Sequence, residues 1–430
     1  MEGILQPPVV QVVGVVILLA AFAQAGISAI AAFRRSQALR QQHEDSIARL
    51  RYQAATSLAS LRDTEERTQH GWNGIRKFEV AEKIPEADGV HSFYLKPHDG
   101  KPLPPFSPGQ YLTFMLRIPD ADKQVVRCYS LSDSPGKNYY RVSIKKVPPP
   151  RDKPDAPPGM SSTYFNDQLN VEDILDVKAP SGHFYLDTTR NSPIVLIGGG
   201  IGITPVLSML NAVCESDIER EVWFFLGVRN SREQVQKAHV EALAAEHANV
   251  NICICYSDPL EDDVEGRDYQ HQGWVGVDLF KQVLPSNNFE FYICGPPPLM
   301  NSVTEGLAEW GVPSDAVNFE AFGPASVKKT APSSDDGKSA ETGEKPECMV
   351  KFARSQKSVT WDGSHESLLE LAEANDVVID FGCRAGNCGT CITALKSGEV
   401  TYLNEPGAPP EEGSCLTCIS VPKGDVVVDA

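Results

Sequence analysis

PIVLIGGGIGITPVLSML, from Pro193 to Leu210, runs from a short apolar stretch through four glycines into a helical pattern. Such a stretch reads as strand, tight turn and helix, the repeating unit of a parallel sheet. The dinucleotide fingerprint G-x-G-x-x-G is not met, because Ile203 stands where its third glycine belongs. Thr204 followed by Pro205 reads as a helix cap with proline at the first helical position. The run therefore carries a glycine-lined strand end, Gly198, Gly199, Gly200 and Gly202, to a helix N-terminus where a diphosphate can sit. A plain glycine turn after a buried strand is the competing reading. EVWFFLGV (221–228), VNICICYS (250–257) and FEFYICG (289–295) are further apolar runs separated by helical stretches. Strands alternating with helices predict a parallel-sheet α/β domain over 190–324.

Outward from this domain the texture changes. Residues 71–189 alternate strand and turn, as in KFEVAEKI, GQYLTFMLRI and YYRVSIKKV, and predict an antiparallel β-barrel. PPPRDKPDAPPG (148–159) reads as a proline-rich loop within it. Residues 325–347 are polar and rich in Ser, Lys and acids, a flexible linker, and a compact segment follows over 348–430. Residues 9–33 carry no charge, long enough for a transmembrane helix, which needs ~20 apolar residues. Arg34, Arg35 and Arg40 follow at once, placing the C-terminal part on the cytoplasmic side of a cell inner membrane by the positive-inside rule. Ala23-Gln24-Ala25 resembles a signal-cleavage site, but the preceding flank lacks the Lys or Arg of a signal peptide. Residues 34–70 read as a helical stalk whose short apolar stripe leaves room for dimerisation. The predicted architecture is thus multidomain α/β and β. A single-pass membrane helix is followed by stalk, barrel, α/β domain, linker and terminal domain. The net charge of −18 argues against nucleic acid as the main partner and suits docking on basic protein surfaces. Eleven scattered cysteines are not a disulfide framework.

Three of those cysteines fall within CRAGNCGTC, Cys383 to Cys391. Cys415-x2-Cys418 could complete a zinc site with them. Against zinc, the spacing Cys383-x4-Cys388-x2-Cys391 with a distant further cysteine is that of a plant-type [2Fe–2S] cluster. Ala385, Gly386 and Gly389 let the backbone wrap closely and donate N–H groups to sulfur.

The segment 348–430 resembles a plant-type ferredoxin domain, with its last ligand in an E-E-G-x-x-L-T-C context. The resemblance implies a β-grasp fold with Cys383, Cys388, Cys391 and Cys418 as iron ligands, and leaves Cys415 a bystander. In the barrel region RCYSLS (127–132) resembles the R-x-Y-S flavin motif of the ferredoxin–NADP reductase superfamily, with FSPGQY (106–111) upstream and GMSSTYF (159–165) downstream. The likeness implies that Arg127 clamps a flavin phosphate and Tyr129 lies against the isoalloxazine ring. It gives Ser130 a hydrogen bond to the reactive nitrogen, and Gly159 and Ser162 the pyrophosphate at a helix start. GGGIGITP is similar to the superfamily's nicotinamide-binding turn, with Thr204 aligning the ring. FYICGPPPLM is similar to its C-G-P motif, which sets Cys294 beside the nicotinamide with Gly295 and Pro296 adjoining. EAFGP (320–324) resembles the end of the flavohemoglobin reductase module, implying that Phe322 covers the second flavin face and favouring FAD over FMN. CYSDPLEDD (255–263) is similar to a segment of the flavin subunit of the Na+-translocating NADH:quinone reductase. Asp258 there would repel a 2′-phosphate and favour NADH, while Arg229 and Arg232 keep NADPH open.

The resemblance covers residues 72–430 and implies a membrane-tethered reductase in the order flavin, nicotinamide, ferredoxin. NADH gives a hydride to the flavin, electrons pass singly to the cluster, and the cluster hands them to an acceptor protein such as a terminal oxygenase or other metalloprotein. Ser130, Cys294 and Thr204 are the candidate catalytic residues. Two alternatives stand beside this expectation. One is a respiratory-type NADH:quinone reductase module, opposed by the domain order of the ion pump. The other is a non-enzymatic iron–sulfur redox sensor, for which the flavin and nicotinamide apparatus would be superfluous.

Overall fold

The computed structural model describes residues 72, 74–119, 121, 124–149, 154–216, 220–322, 348–382, 384, 386, 389–403, 406 and 410–430, together with Gln24. The predicted membrane helix (9–33), stalk (34–70) and linker (325–347) lie outside the described residues, apart from Gln24. Among the described residues, no helix is long and apolar enough to cross a membrane.

The first sheet is six-stranded and antiparallel, in the order β4-β3-β6-β1-β2-β5. Its strands are β1 (Arg76–Ala87), β2 (Val90–Pro97), β3 (Tyr111–Leu116), β4 (Val125–Ser130), β5 (Tyr140–Lys145) and β6 (Ile174–Ser181). A bridge between Leu131 and Val142, with the Ser132 N–H donating to the Arg141 carbonyl at 2.8 Å, ties the end of β4 to β5 and closes the sheet on itself. Closure removes the exposed edges that such a sheet would otherwise present. Phe78, Phe93, Phe114 and Phe165 fill the interior, and Phe165 meets Phe93 and Phe114 edge-on at 5.3 and 5.4 Å. Helix α1 (Met160–Thr163), prolonged by a π-helical turn over Tyr164–Gln168, brings Phe165 there.

The second sheet is parallel throughout, ordered β10-β9-β8-β7-β11-β12. It comprises β7 (Ile194–Gly199), β8 (Val222–Val228), β9 (Val250–Tyr256), β10 (His271–Gln272), β11 (Glu290–Gly295) and β12 (Val317–Ala321). The helices are α2 (Ile203–Cys214), α3 (Lys237–Glu246), α4 (Val277–Val283) and α5 (Pro297–Glu309). The apolar runs read from the sequence are the central strands; every residue of β7 is buried because both faces are covered. From β7 the chain moves outward through β8, β9 and β10, then returns to lay β11 on the other side of β7. The strand order therefore reverses between β7 and β11, the place where open α/β sheets form their ligand crevice.

A third sheet, β14-β13-β19-β15-β17, carries the C-terminal segment, with β13 (Cys348–Phe352), β14 (Lys357–Trp361), β15 (Ile392–Ser397), β17 (Ser414–Leu416) and β19 (Val426–Val428). Strands β16 (Val400–Tyr402) and β18 (Ser420–Pro422) pair separately, and α6 (Leu368–Ala374) packs Leu368, Leu369 and Leu371 into the same core. Ser367 caps α6, its hydroxyl accepting from the Glu370 N–H at 3.3 Å.

The barrel and the parallel sheet share a core. Val90, Phe184 and Leu186 from the barrel side join Met209, Leu210 and their neighbours in one buried cluster. Each such side chain contributes about 1.5–3 kcal/mol by leaving water. Gly109 sits at this seam with φ +108°, and a Cβ there would lie 2.4 Å from the Phe184 carbonyl oxygen and 2.6 Å from Met209 Cε. Gly109→Ala is therefore expected to destabilise the chain by about 1–3 kcal/mol through clash and backbone strain. An unchanged thermal midpoint would show that the seam has slack.

Candidate functional site

Strand β4 lies on β3 with Ser130 opposite Tyr111, Tyr129 opposite Leu112 and Arg127 opposite Phe114. Tyr129 is half-buried between Phe114 and Phe165, and its hydroxyl donates to Ser161 Oγ at 3.1 Å. Burial pushes its phenol up, with the Ser161 bond partly opposing, so the ring stays neutral. That bond pins β4 to the start of α1. Arg127 folds back, Nη1 donating to the Val126 carbonyl at 2.7 Å. Ser162 Oγ accepts from the Val147 N–H at 3.1 Å and donates to the Gly159 carbonyl at 2.9 Å. It thereby fixes the approach to the helix, and a Cβ on Gly159 would crowd Ser162 Oγ at 2.8 Å. The first-turn N–H groups of α1 have no helical acceptor by geometry. Gly159, Ser162, Tyr129 and Arg127 thus share one corner of the barrel, with aromatic surface and helix N–H donors that fit the ring and pyrophosphate of a flavin nucleotide.

At the crevice of the parallel sheet, glycines let two strand ends touch. Cys294 of β11 registers with Gly198 of β7 on one side and with Glu320 of β12 on the other. A Cβ on Gly202 would lie 2.2 Å from the Cys294 carbonyl oxygen, and one on Gly199 would meet Leu299 Cδ2 at 2.5 Å and Pro296 Cδ at 2.8 Å. A Cβ on Gly295 would lie 3.1 Å from Gly199 Cα. Gly200, at φ +54°, is different: a Cβ there meets nothing within 4 Å, so this glycine faces open space suited to a dinucleotide. Cys294 is fully buried and burial raises its thiol well above the usual range, so it sits as a neutral thiol.

Thr204 is not the helix cap expected from the sequence. A 3-10 turn over Gly200–Gly202 begins as soon as β7 ends, α2 starts at Ile203 with Gly202 as its N-cap, and Thr204 falls inside the first turn. Its hydroxyl donates to the Ile201 carbonyl at 3.1 Å instead of accepting from the helix. The positive φ of Gly200 makes this early turn cheap, and the sequence alone does not display it.

Asp258 lies past the carboxyl end of β9, exposed, and its Oδ2 accepts from Arg229 Nη2 at 3.0 Å. The acid and the arginine that the sequence set against each other thus neutralise one another. Phe322 directly follows β12 and is 38% exposed.

One group escaped the sequence reading. Glu320, in the EAFGP segment noted for its phenylalanine, has Oε2 enclosed without a hydrogen-bond partner beside Cys294. Burial pushes its carboxyl up to about 8. The signal was a charged residue in an apolar strand, but only the β11–β12 register reveals its neighbour.

In the C-terminal domain Cys391 and Cys418 are buried with their Sγ atoms 3.1 Å apart. A disulfide would need about 2.05 Å, so the two sulfurs converge without bonding covalently. Gly386 (φ +76°), Gly389 (φ +71°) and Arg384 (φ +53°) all turn in the left-handed region, and a Cβ on Gly386 would lie 2.4 Å from Cδ1 of Ile419, the residue after Cys418. Cys383 and Cys388 lie outside the described residues. Cys415 is fully buried one turn of chain away, its thiol raised to about 11 mainly by burial. The converging sulfur pair and the left-handed turns at Arg384, Gly386 and Gly389 fit an iron–sulfur cluster.

Comparison with known proteins accords with these three sites. Family models match in sequence order: an oxidoreductase FAD-binding domain over 78–185, an oxidoreductase NAD-binding domain over 196–305, and a 2Fe-2S iron–sulfur cluster binding domain over 352–423. The structure resembles phthalate dioxygenase reductase, whose description is a modular structure for electron transfer from pyridine nucleotides to [2Fe–2S]. The TM-score is 0.50 with 27% identity, over 83% of this chain and 98% of that one. It also resembles the FAD/NAD-binding domain of a nitric oxide dioxygenase from Vibrio cholerae O1 biovar El Tor, with a TM-score of 0.51, 29% identity, and coverage of 59% and 100% of the two chains. A flavohemoprotein of Bacillus thuringiensis subsp. konkukian is 42% identical over 255 residues, 59% of this chain and 62% of that protein. The chain thus spans less than two thirds of the length of that relative. It carries an FAD-binding, an NAD-binding and a 2Fe-2S-binding domain in that order.

Because the Glu320 carboxyl titrates near 8 when folded but near its ordinary 4.5 when unfolded, the native state holds a proton that the unfolded chain releases. Stability is therefore expected to fall as pH rises through that window. Urea midpoints of the flavin-free chain at about pH 6 and about pH 9 measure this. A flat profile in the wild type, or the same slope in Glu320→Gln, would contradict the buried-acid assignment.

Proposed function

We propose that this chain is a reductase that takes two electrons from NADH onto FAD and passes them singly through a [2Fe–2S] cluster to an acceptor protein such as a terminal oxygenase. The observation that carries the reading is the likeness to phthalate dioxygenase reductase along 98% of that chain, with FAD, NAD and iron–sulfur family matches in the same chain. A flavin takes a hydride and releases electrons one by one, and a [2Fe–2S] cluster accepts only one, so this set of groups converts between the two regimes.

The proposed roles are those the motifs imply. The flavin barrel is residues 71–189 and the nicotinamide domain 190–324, with the ferredoxin domain over 348–430. Arg127, Gly159 and the α1 N–H groups hold the flavin diphosphate. Tyr129, tied to Ser161, would support the flavin ring; Ser130 would supply a hydrogen bond to its reactive nitrogen, and Phe322 would screen the ring from solvent. Gly198, Gly199, Gly200 and Gly202 with Gly295 and Pro296 admit the dinucleotide, while Thr204 and Cys294 set the nicotinamide. Cys383, Cys388, Cys391 and Cys418 hold the irons. Asp258, by occupying Arg229, disfavours a 2′-phosphate and so favours NADH. Residues 9–33 tether the chain to the inner membrane with its catalytic part in the cytoplasm, and the ferredoxin segment, with twice as many acidic as basic side chains, offers a negative docking face.

The test is anaerobic mixing with NADH while following flavin bleaching, then the iron–sulfur signal by EPR. Cys391→Ser and Cys418→Ser should abolish that signal and leave flavin reduction intact, whereas Cys415→Ser should keep both. Loss of the signal in Cys415→Ser alone would reassign the fourth ligand. Asp258→Ala should remove the nearer of the two acids on Arg229, leaving Glu233 at 3.9 Å, and raise the NADPH to NADH preference about tenfold, a differential of about 1.4 kcal/mol. An unchanged ratio would remove Asp258 from cofactor selection.

A further inference from the structure

The residues after the RCYSLS motif leave the barrel wall and enter a polar junction with helix α2. Asp133 is its centre. Its backbone carbonyl accepts from Ser208 Oγ at 2.6 Å, and its Oδ1 accepts from Asn211 Nδ2 at 2.8 Å. On the barrel side Oδ2 accepts from the Tyr139 hydroxyl at 2.9 Å and stands 3.4 Å from Arg141 Nη1. Asn211 Oδ1 in turn pairs with His239 Nε2 of α3 at 2.8 Å. Asp133, Arg141, Ser208 and Asn211 are all buried. Thr204, Ser208 and Asn211 fall at i, i+4 and i+7, a polar stripe on a helix that is otherwise apolar and buried.

Such a junction is not needed to hold the domains together. The seam of Val90, Phe184, Leu186 and Met209 already does that, and a buried carboxylate stabilises little after its desolvation cost. Apolar contact, however, has no direction, and allows a helix to settle a fraction of an ångström either way. A carboxylate gripped from both sides does not. The junction also sits where direction matters. Asp133 is three residues from Ser130 at the flavin corner, and α2 begins at the glycine crevice.

We infer that Asp133, acting with Asn211 and Ser208, is a positioning residue for hydride transfer: it fixes the start of α2, and with it the nicotinamide crevice, against the flavin corner of the barrel. The inference rests on the proposed function. The step it serves moves one hydride, a proton with two electrons, from the nicotinamide ring to the flavin ring, leaving NAD+ and reduced flavin. Asp133 exchanges neither proton nor electron in it. Misplacement by about 1 Å costs up to about a hundredfold in rate, so loosening the junction should act on the rate of transfer before it acts on binding.

Asn211→Ala, Asp133→Ala and the milder Ser208→Ala, each in the full FAD-loaded chain, test this. Stopped-flow reduction by NADH and by NADH deuterated at the transferred position gives the limiting rate, the isotope effect and the dissociation constant. Hydrogen exchange over 203–214 in the nucleotide-free chain reports the junction independently of turnover. Expected for Asn211→Ala are a limiting rate about tenfold lower, an altered isotope effect, an NADH dissociation constant within about twofold, and faster exchange in α2. The Asp133→Ala, Asn211→Ala double variant should be little worse than either alone, since both break one junction. Faster exchange with an unchanged rate would make the junction mere glue and overturn the inference, as would no change in either. Should Asp133→Ala lose its flavin, Ser208→Ala, which removes a single hydroxyl, decides between the same outcomes. A wild-type chain that NADH cannot reduce would instead sink the proposed function itself.

Discussion

Backbone-to-backbone contact between the ends of β7 and β11 is the constraint on which the rest of the molecule turns. The Cys294 carbonyl lies so near Gly202 that no side chain fits between them. This contact exists because the strand order reverses there, with β8 to β10 on one side of β7 and β11 to β12 on the other. Everything the nicotinamide half needs follows from it: a crevice at the carboxyl edge, open space at Gly200, a helix that begins beside it, and a buried thiol on the wall. Parallel strands run uniformly, so all these features gather on one edge of the sheet.

The barrel contributes a different kind of order. Its closure at Leu131 and Val142 comes immediately after the flavin motif, so the strand that presents Tyr129 and Ser130 is held by β3 along its length and by β5 at its end. Tyr129 is then locked from a third side by Ser161. From there the chain passes within three residues into the polar junction at Asp133. Closure, the Tyr129 corner and the interdomain contact therefore follow one another in sequence, so one short segment touches both domains. The C-terminal domain has positive backbone angles at Arg384, Gly386 and Gly389 and two buried sulfurs that approach without bonding covalently.

Burial sets the charge states across these sites in a consistent direction. Cys294, Cys415, Tyr129 and Glu320 are all held toward their neutral forms by loss of water. Asp133 is a buried acid supplied with hydrogen-bond donors from both sides. A neutral acid and a neutral thiol beside the crevice leave that wall without fixed charge, whereas the exposed Asp258 and Arg229 pair with each other beyond the carboxyl end of β9. Polarity is spent on alignment at the junction and withheld from the wall.

The sequence by itself determined the three architectures and their order, because each rests on local signals. These are period-two alternation broken by turns, apolar runs alternating with helices, and the x4-x2 cysteine spacing. It also displayed the segments that carry the flavin, dinucleotide and iron–sulfur matches, since short motifs keep their neighbours in the chain. Thr204 marks the limit of local reading: a cap by composition, it became a first-turn residue because Gly200 turned the chain early. Tertiary structure alone decided that Glu320 stands beside Cys294, that Asp258 occupies Arg229, and that Asp133 meets Asn211 across 78 residues. Those pairings depend on strand register and on how two domains pack, and neither leaves a periodicity that one chain read end to end can show.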